Sequence, residues 1–169
     1  RSVSGFGMPG TAVIENINAG DHIALVSYDT NDKFHGDAKD FNFTIAKANV
    51  TLSVLANDIV EGETAIIEIF AVNDDLENIN TTVVLTINDK AYGEVTITNG
   101  TAQVPVADLE QGKYNVNIVT ADDNYNFASA SWSFYVKHAT SLVVITEPEH
   151  EYGTPVVIDV KLNATSLNL

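Results

Sequence analysis

The segment "GKYNVNIVTADDNYN", residues 112–126, decides the fold because the chain contains its pattern twice. Residues 20–34 read "GDHIALVSYDTNDKF" and repeat the order of an opening Gly, a strand of alternating character, an acidic turn with Asn and a closing aromatic. Self-similarity at a fixed period is the sequence signature of a repeated structural unit. The two segments therefore indicate that one unit recurs along the chain.

The repeat extends well beyond these two segments. Gly20 and Gly112 lie 92 positions apart, and from Asp32 onward the offset is 91, without a gap as far as Ile69 and Val160. A period of about 91 residues is too long for a helical solenoid and fits a sandwich domain that folds independently and recurs in tandem.

This period divides the chain into three parts. We predict the C-terminal part of one repeat at 1–45, a complete repeat at 46–136 and the N-terminal part of a following repeat at 137–169. No Pro- or Gly-rich linker lies near either boundary, which predicts stiff junctions. Because the chain begins on Arg1 without an initiator Met, we expect it to be an internal segment of a longer protein.

Within the complete repeat, apolar and polar residues alternate with period 2, which places side chains on the two faces of a strand. No apolar pattern at helical spacing persists over three turns, so the predicted fold is all-β. Seven strands in about 90 residues is the count of an immunoglobulin-like β-sandwich. Residues 56–63 and 74–80 are predicted to be acidic loops. The predicted strands are 48–55, 64–72, 81–88, 93–98, 101–107, 113–120 and 128–137.

The parity of the strands predicts the core. In "TAIIEIFAV", Ile67 and Ile69 should face inward, because their repeat partners are apolar whereas Glu68 has an acidic partner. The alternation of the later strands assigns Val116 and Trp132 to the same interior.

The charge of the chain excludes several classes of partner. It has 23 acidic and 8 basic residues, and the formal net charge of -15 repels phosphate backbones and anionic lipid headgroups. We therefore expect no nucleic-acid partner. The chain has no Cys, which excludes disulfides and thiolate metal sites. No apolar run reaches the roughly 18 residues that a membrane span needs.

The run "NGTAQVPVADLEQGKYNVNIVTADDNYNFASASWSFYVK", residues 99–137, resembles the C-terminal half of the bacterial-type Ig-like repeats found in tandem in large surface proteins, particularly the adhesin-like proteins of methanogenic archaea. The shared motifs are the Gly-Thr-Ala strand start, the Leu-x-x-Gly-x-Tyr turn, the Asp-x-Asn-Tyr loop and the closing strand with alternate Ser. In the earlier copy His22 replaces Tyr114, which indicates that the polar tip of this side chain is not essential.

The resemblance implies an exported, extracellular stalk or adhesive module at the cell surface, with further Ig-like repeats as its neighbours. Two alternatives stay open. One is a binding module whose loops grip a cell-surface glycan or protein, and the other is an accessory domain of a surface hydrolase. The partial repeats at both ends also allow head-to-tail strand exchange between molecules.

Catalytic residues are not apparent in the sequence. His22, His35, His138 and His150 lie in four unrelated contexts, none with a nucleophile elbow or a second ligand at metal spacing. We therefore predict that the chain is not an enzyme and needs no organic cofactor.

Calcium is the candidate cofactor that the loops suggest. The "DTND" stretch resembles the Asp-x-Asn-Asp loops of cadherin-type domains, and "ADD" at 121–123 groups hard oxygen ligands. The alternative is that these acidic loops are simply solvated. The candidate ligands are Asp29, Asn31, Asp32, Asp122 and Asp123.

Glycosylation is the candidate modification, because an exported chain would offer its Asn-x-Ser/Thr sequences to the glycosylation machinery. Asn80, in an acidic loop, is the favoured site, whereas Asn99 lies in a tight turn. The acceptor positions are Asn42, Asn49, Asn80, Asn99 and Asn163.

Overall fold

The computed structural model describes residues 13–33, 35–145 and 149–164. Phe34, the closing aromatic of the earlier copy, lies outside the described residues. Within them there is no helix of the length and apolar character needed to cross a membrane. The strands are β1 Gly20–Tyr28, β2 Asp37–Ile45, β3 Thr51–Leu55, β4 Ile59–Val60, β5 Ala65–Val72, β6 Thr81–Ile87, β7 Lys90–Ile97, β8 Thr101–Val106, β9 Gly112–Thr120, β10 Ser129–Lys137, β11 Thr140–Ile145 and β12 Asp159–Ala164.

Strands β3 to β10 form a sandwich of two sheets. One sheet has the order β4-β10-β9-β6-β7 and the other has the order β3-β5-β8. Neighbouring strands are antiparallel except β4, which runs parallel to β10. The all-β sandwich predicted from the alternation is confirmed.

The core lies between these two sheets and is built by one face of each strand. Along β5 the residues Ala65, Ile67, Ile69 and Ala71 are fully buried, as their parity predicted. The opposing sheet contributes, among others, Val83, Leu85, Val116, Ile118, Phe134 and Val136. Burial of this continuous apolar layer is the main force that holds the two sheets together.

Trp132 is a correction to the predicted core. It shares the inward face of β10 with Phe134, but its side chain is 49 % exposed and its indole Nε1 donates to the carbonyl of Ala56 at 2.8 Å. Strand β3 has ended at Leu55, so the indole lies at the open margin of the sandwich. There the ring covers apolar surface while its polar N–H finds an acceptor.

The sequence predicts turns at "NDKAYG" and "TNGTA", and the structure confirms both as tight hairpins. Asn88 and Asp89, between β6 and β7, have φ angles of 48° and 61°. Asn99 and Gly100, between β7 and β8, have φ angles of 51° and 77°. Consecutive positive φ values are the geometry that closes a two-residue hairpin, and Asn, Asp and Gly adopt them at least cost.

Strand β4 lies inside the region 56–63 that we predicted to be a loop. Ile59 and Val60 pair with Val136 and Lys137 of β10. Two residues are too few to show an alternation, so the pattern gave no signal for this strand.

The hairpin of β1 and β2 has the same register as the hairpin of β9 and β10. His22 pairs with Phe43 in the first, and Tyr114 pairs with Phe134 in the second. These pairs are related by the offsets of 92 and 91 that the sequence predicted, since 114 − 22 = 92 and 134 − 43 = 91. The two copies of the opening segment therefore form the same local structure.

The hairpin of β11 and β12 repeats the pairing of β3 and β5, with one correction. Leu142 pairs with Leu162, whereas the equivalent pair in the complete sandwich is Leu52 with Ala71. The offset is thus 90 in the first strand (142 − 52) and 91 in the second (162 − 71), so the gap-free offset of 91 was wrong here. The extra residue lies in the connection between β11 and β12.

Candidate functional site at the repeat junctions

The turn before β9 and the turn before β1 are fixed by one side chain each. The ring of Tyr114 stacks on Phe134 with centroids 5.5 Å apart, and its hydroxyl donates to the carbonyl of Glu110 at 3.0 Å. This arrangement, a Tyr hydroxyl bonded to backbone a few residues upstream, is the tyrosine corner of Ig-like sandwiches.

His22 performs the same function in the earlier copy. Its ring stacks on Phe43 at 5.5 Å, and its Nε2 is 2.8 Å from the carbonyl of Asn18, again four residues upstream. Because a carbonyl accepts, Nε2 carries the proton in this contact. The expectation that the polar tip is not essential was therefore wrong, since both Tyr114 and His22 use it for the same bond.

The loop between β9 and β10 folds on its own side chains. Asp122 Oδ1 accepts the amide of Asn124 at 2.9 Å, and in the earlier copy Asn31 Oδ1 accepts the amide of Lys33 at 2.9 Å. Asx turns of this kind let a short polar side chain replace a backbone acceptor. One short polar side chain in each loop, Asp122 or Asn31, therefore has a local structural role.

The first junction, residues 46–50, is clamped by that loop. The amide of Ala48 donates to the carbonyl of Asn124 at 2.9 Å, and the carbonyl of Ala48 accepts the amide of Asn126 at 2.8 Å. Asn124 Oδ1 also accepts the amide of Ala19 at 2.8 Å, a residue that precedes β1. One Asn therefore binds backbone both before β1 and within the junction itself.

Polar side chains extend this clamp on its outer side. Asn126 Nδ2 donates to Asn49 Oδ1 at 2.8 Å, and Asn49 Nδ2 donates to Asp74 Oδ2 at 2.9 Å. Burial, with the charge of Asp122 as the smaller cause, raises the pKa of Tyr125, which lies beside them. The two hydrogen bonds of Asn49 thus connect the loop before β10 and the loop after β5 to the same end of the sandwich.

The second junction, residues 138–139, is the two-residue connection between β10 and β11. His138 Nδ1 lies 3.0 Å from Glu61 Oε2, and the amide of Glu61 donates to the carbonyl of Lys137 at 2.8 Å. Lys137 Nζ lies 2.7 Å from Asp58 Oδ2. The hydrogen bond from Lys137, followed by one from the amide of Tyr135, lowers the pKa of Asp58.

The candidate calcium ligands lie in the two equivalent loops. Asn31 Oδ1 and Asp122 Oδ1 are occupied by their Asx turns, and Asp123 pairs with Lys47 at 3.8 Å. Asp29 and Asp32 are exposed in the loop after β1. In the part of the chain that the structure describes, no three His, Cys, Asp or Glu side chains are grouped around one position. Calcium binding stays a prediction.

The glycosylation candidates differ in how their amides are used. Asn49 Nδ2 is bonded to Asp74, as described above, and Asn80 Oδ1 accepts the amide of Asn99 at 2.6 Å. Asn42 is exposed on β2, and Asn99 occupies the tight turn. Asn163 lies in β12, and its side chain is outside the described part.

Sequence reasoning missed the residues that hold the junctions. Asn124 was noted as part of a motif, but its contact with Ala19 depends on a neighbour 105 positions away. Asp58 and Glu61 were assigned to an acidic loop, and their pairing with Lys137 and His138 becomes visible only through strand β4. The one feature of the sequence that could have indicated a fixed second junction is the unusually short connection after β10.

Comparisons with known proteins find similar chains among the solved structures. No protein-family model matches the chain, and no curated protein matches it. Among solved structures, the chain is similar to one described as Clostridium thermocellum CbhA fibronectin(III)-like modules, with 14 % identity and a TM-score of 0.36. The match covers 53 % of this chain and 99 % of that one. A likeness of this extent does not bear on the activity or ligands of the present chain.

Proposed function

We propose that the chain is a non-enzymatic array of Ig-like repeats that serves as a stiff spacer in an exported cell-surface protein of the adhesin-like kind. The observation that carries the proposal is the anchoring of the first junction, where Asn124 binds both Ala19, which precedes β1, and Ala48, which lies in the junction. A flexible connection would not need such a clamp.

The path of the chain supports a spacer because it enters and leaves the sandwich at opposite ends. The first junction contacts the loop that precedes β10, whereas the second junction follows the last residue of β10. Strand β10 has nine residues and so spans about 30 Å at roughly 3.3 Å per residue. Each complete repeat would therefore add a length of this order to a stalk.

The division into 1–45, 46–136 and 137–169 is part of the proposal. It is supported by the matching registers of the hairpins and by the equivalent turns at Gly62 and Gly153, whose φ angles are 90° and 89°. All the buried apolar residues of the described part fall between Val50 and Val136. The central segment thus has a closed core of its own.

Small-angle X-ray scattering of the dilute chain tests the spacer. A compact body of 169 residues has a radius of gyration of about 15 Å, and an unfolded chain of that length has one of about 43 Å. We expect a value above about 20 Å, with the profile of an elongated folded particle. A radius near that of the compact body would contradict the proposal.

A matched pair of variants sharpens the same experiment. Inserting Gly-Gly-Ser after His138 should broaden the distribution of interatomic distances, because the second junction would lose its short connection. The same insertion after Asn88, within the turn between β6 and β7, should leave the distribution unchanged. Equal effects of the two insertions would show that the junction has no special stiffness.

A further inference from the structure

Two pairs of opposite charge fasten the segment around β4 to the end of β10. Lys137 Nζ lies 2.7 Å from Asp58 Oδ2, and His138 Nδ1 lies 3.0 Å from Glu61 Oε2. The second contact joins residues that are 77 positions apart in the chain. Between the two pairs, the amide of Glu61 donates to the carbonyl of Lys137 at 2.8 Å. The side chain and the backbone of Glu61 thus both hold the second junction.

The two pairs differ in how they respond to pH. A Lys side chain ordinarily stays charged up to about pH 10, whereas a His side chain changes its charge between about pH 5 and pH 8. A charged imidazole donates from both ring nitrogens, and its hydrogen bond to a carboxylate is roughly twice as strong as a neutral one. The Lys137 pair is therefore constant across this range, and the contact of His138 with Glu61 depends on a proton.

The repeat supports a cationic role for this position. Ile45 and Val136 are the equivalent last residues of the hairpin pairing in the two copies, and Lys47 and His138 each lie two residues beyond them. Lys47 also has an acidic neighbour, because its Nζ lies 3.8 Å from Asp123 Oδ1. A basic side chain beside a carboxylate thus occurs at both junctions, permanently charged at the first and proton-dependent at the second.

His138 is the one group of the second junction that changes charge in this pH range. It is the only His between residues 36 and 149. Carboxyl groups ordinarily titrate near pH 4, and Lys and Tyr side chains near pH 10, so the neighbouring groups keep their charge from about pH 5 to pH 8. Strand β11, on the far side of the connection, contains no charged residue. Among the described residues, the titratable groups of the elements around the connection are Asp58, Glu61 and Glu63 beside β4, Lys113 on β9, and Tyr135 and Lys137 on β10.

We propose that His138 and Glu61 form a proton-dependent latch, which closes the second junction more firmly below about pH 6 than above about pH 7.5. Proton uptake by the ring adds its attraction to Glu61, so the closed form is favoured at low pH. This advantage is lost as the pH rises through the range in which the ring releases its proton. The latch goes beyond the spacer function, because it makes the stiffness of one junction variable.

The exposure of the two side chains limits the size of the effect. The side chain of His138 is 31 % exposed and that of Glu61 is 44 % exposed, so water and salt screen their attraction. Ion pairs of this kind change an equilibrium by about two- to fivefold. The latch is therefore a graded adjustment of the junction rather than an all-or-none switch.

Hydrogen exchange of the amide of Glu61 tests the proposal, since this amide is bonded across the junction. We expect its protection factor, the exchange rate of an unstructured chain divided by the observed rate at the same pH, to be about two- to fivefold higher at pH 5.5 than at pH 8. The amide of Asn88 is the internal reference. It donates to the carbonyl of Asn115 at 2.8 Å in a turn without a neighbouring His, and its protection should not change.

Three variants assign the effect to the two partners. His138→Lys, which reproduces the residue of the first junction, should keep the higher protection of the Glu61 amide at both pH values. His138→Gln should keep the lower protection at both. Glu61→Gln should remove the pH dependence of its own amide. The matched control is Glu63→Gln, two residues away, where Glu63 Oε2 accepts the amide of Val60 at 2.9 Å and has no contact with His138 in the structure. It should retain the wild-type dependence.

Two results would overturn the latch. One is a wild-type chain whose Glu61 amide is equally protected at both pH values, and the other is a pH dependence that persists in His138→Lys or Glu61→Gln. Circular dichroism of each variant confirms that the sandwich is folded. The scattering experiment separates the latch from the spacer function. An elongated particle without the pH dependence removes the latch alone, whereas a compact particle contradicts the spacer whatever the exchange of Glu61 shows.

Discussion

Ile66 and Ile67 are adjacent isoleucines with opposite environments. Ile67 is fully buried between the sheets, whereas Ile66 is 42 % exposed on the outer face of β5. Alternation along a strand produces this contrast and made it predictable from sequence, once the repeat partner had shown which parity is apolar. Trp132 shows the limit of the argument, because parity gives the face of a side chain but not whether the other sheet extends far enough to cover it.

The contrast predicts unequal costs of truncation. Ile67→Ala should lower the free energy of unfolding by about 2 to 5 kcal/mol, because it removes buried methyl groups and leaves a cavity. Ile66→Ala should lower it by less than about 1 kcal/mol. Urea denaturation followed by tryptophan fluorescence measures both. Similar losses for the two variants would mean that β5 does not present Ile67 to a core.

Asp58 gives a prediction for pH. Its pKa is held below the ordinary value of 3.8, first by the hydrogen bond from Lys137 and then by the amide of Tyr135. A carboxylate with a lowered folded-state pKa stabilises the fold above its unfolded-state pKa, and this stability is lost as the pH falls through the folded-state value. The pair is exposed, so the effect is small.

Asp58→Asn should remove that contribution. We expect the variant to be less stable than the wild type at pH 6, and the difference to shrink as the pH falls below about 4. Denaturant unfolding at several pH values measures it, and Asp108→Asn, at an exposed turn, serves as the control. A difference that stays constant down to pH 2, about two units below the ordinary Asp pKa, would contradict the assigned cause.

At the scale of the elements, the sequence determined the seven longer strands of the sandwich and both tight hairpins. Those elements are local, since alternation and positive-φ residues act within a few positions. Strand β4 and the junction contacts of Asn124 were not predictable, because they depend on residues that are distant in sequence. The change of offset at β11 was not detectable from the sequence. When "TLSVL" and "SLVVI" are aligned one position out of register, apolar residues of the first still lie opposite apolar residues of the second.

Asn124 is the side chain that should matter most at the first junction. Asn124→Ala removes the acceptor for the amide of Ala19, and a hydrogen bond of about 1 kcal/mol corresponds to roughly fivefold in an opening equilibrium. We expect the amide of Ala19 to exchange about fivefold faster with solvent, with no change at Ile67.

The control for this variant is Asn115→Ala, which lies on the outer face of β9, away from the junction. It should leave the exchange of Ala19 as it is in the wild type. Unchanged exchange of Ala19 in Asn124→Ala would mean that the clamp does not hold in solution.

At the scale of the whole molecule, the repeat period predicts a tandem array but says nothing about its geometry. Which end of the sandwich each junction occupies follows from the direction of β10 and the position of the loop before it. The excess of acidic residues belongs to this scale too, since it spreads repulsion over the surface and favours solubility.

The central claim is that one closed sandwich, built by β3 to β10, lies between two hairpins that lack a covering sheet among the described residues. Native-state hydrogen exchange along the whole chain measures this most directly. We predict that amides of β5, β6 and β9 exchange only through global unfolding, and that those of β1, β2, β11 and β12 exchange at least about a thousandfold faster. Equal protection of the hairpins and the central strands in the dilute monomer would contradict the account.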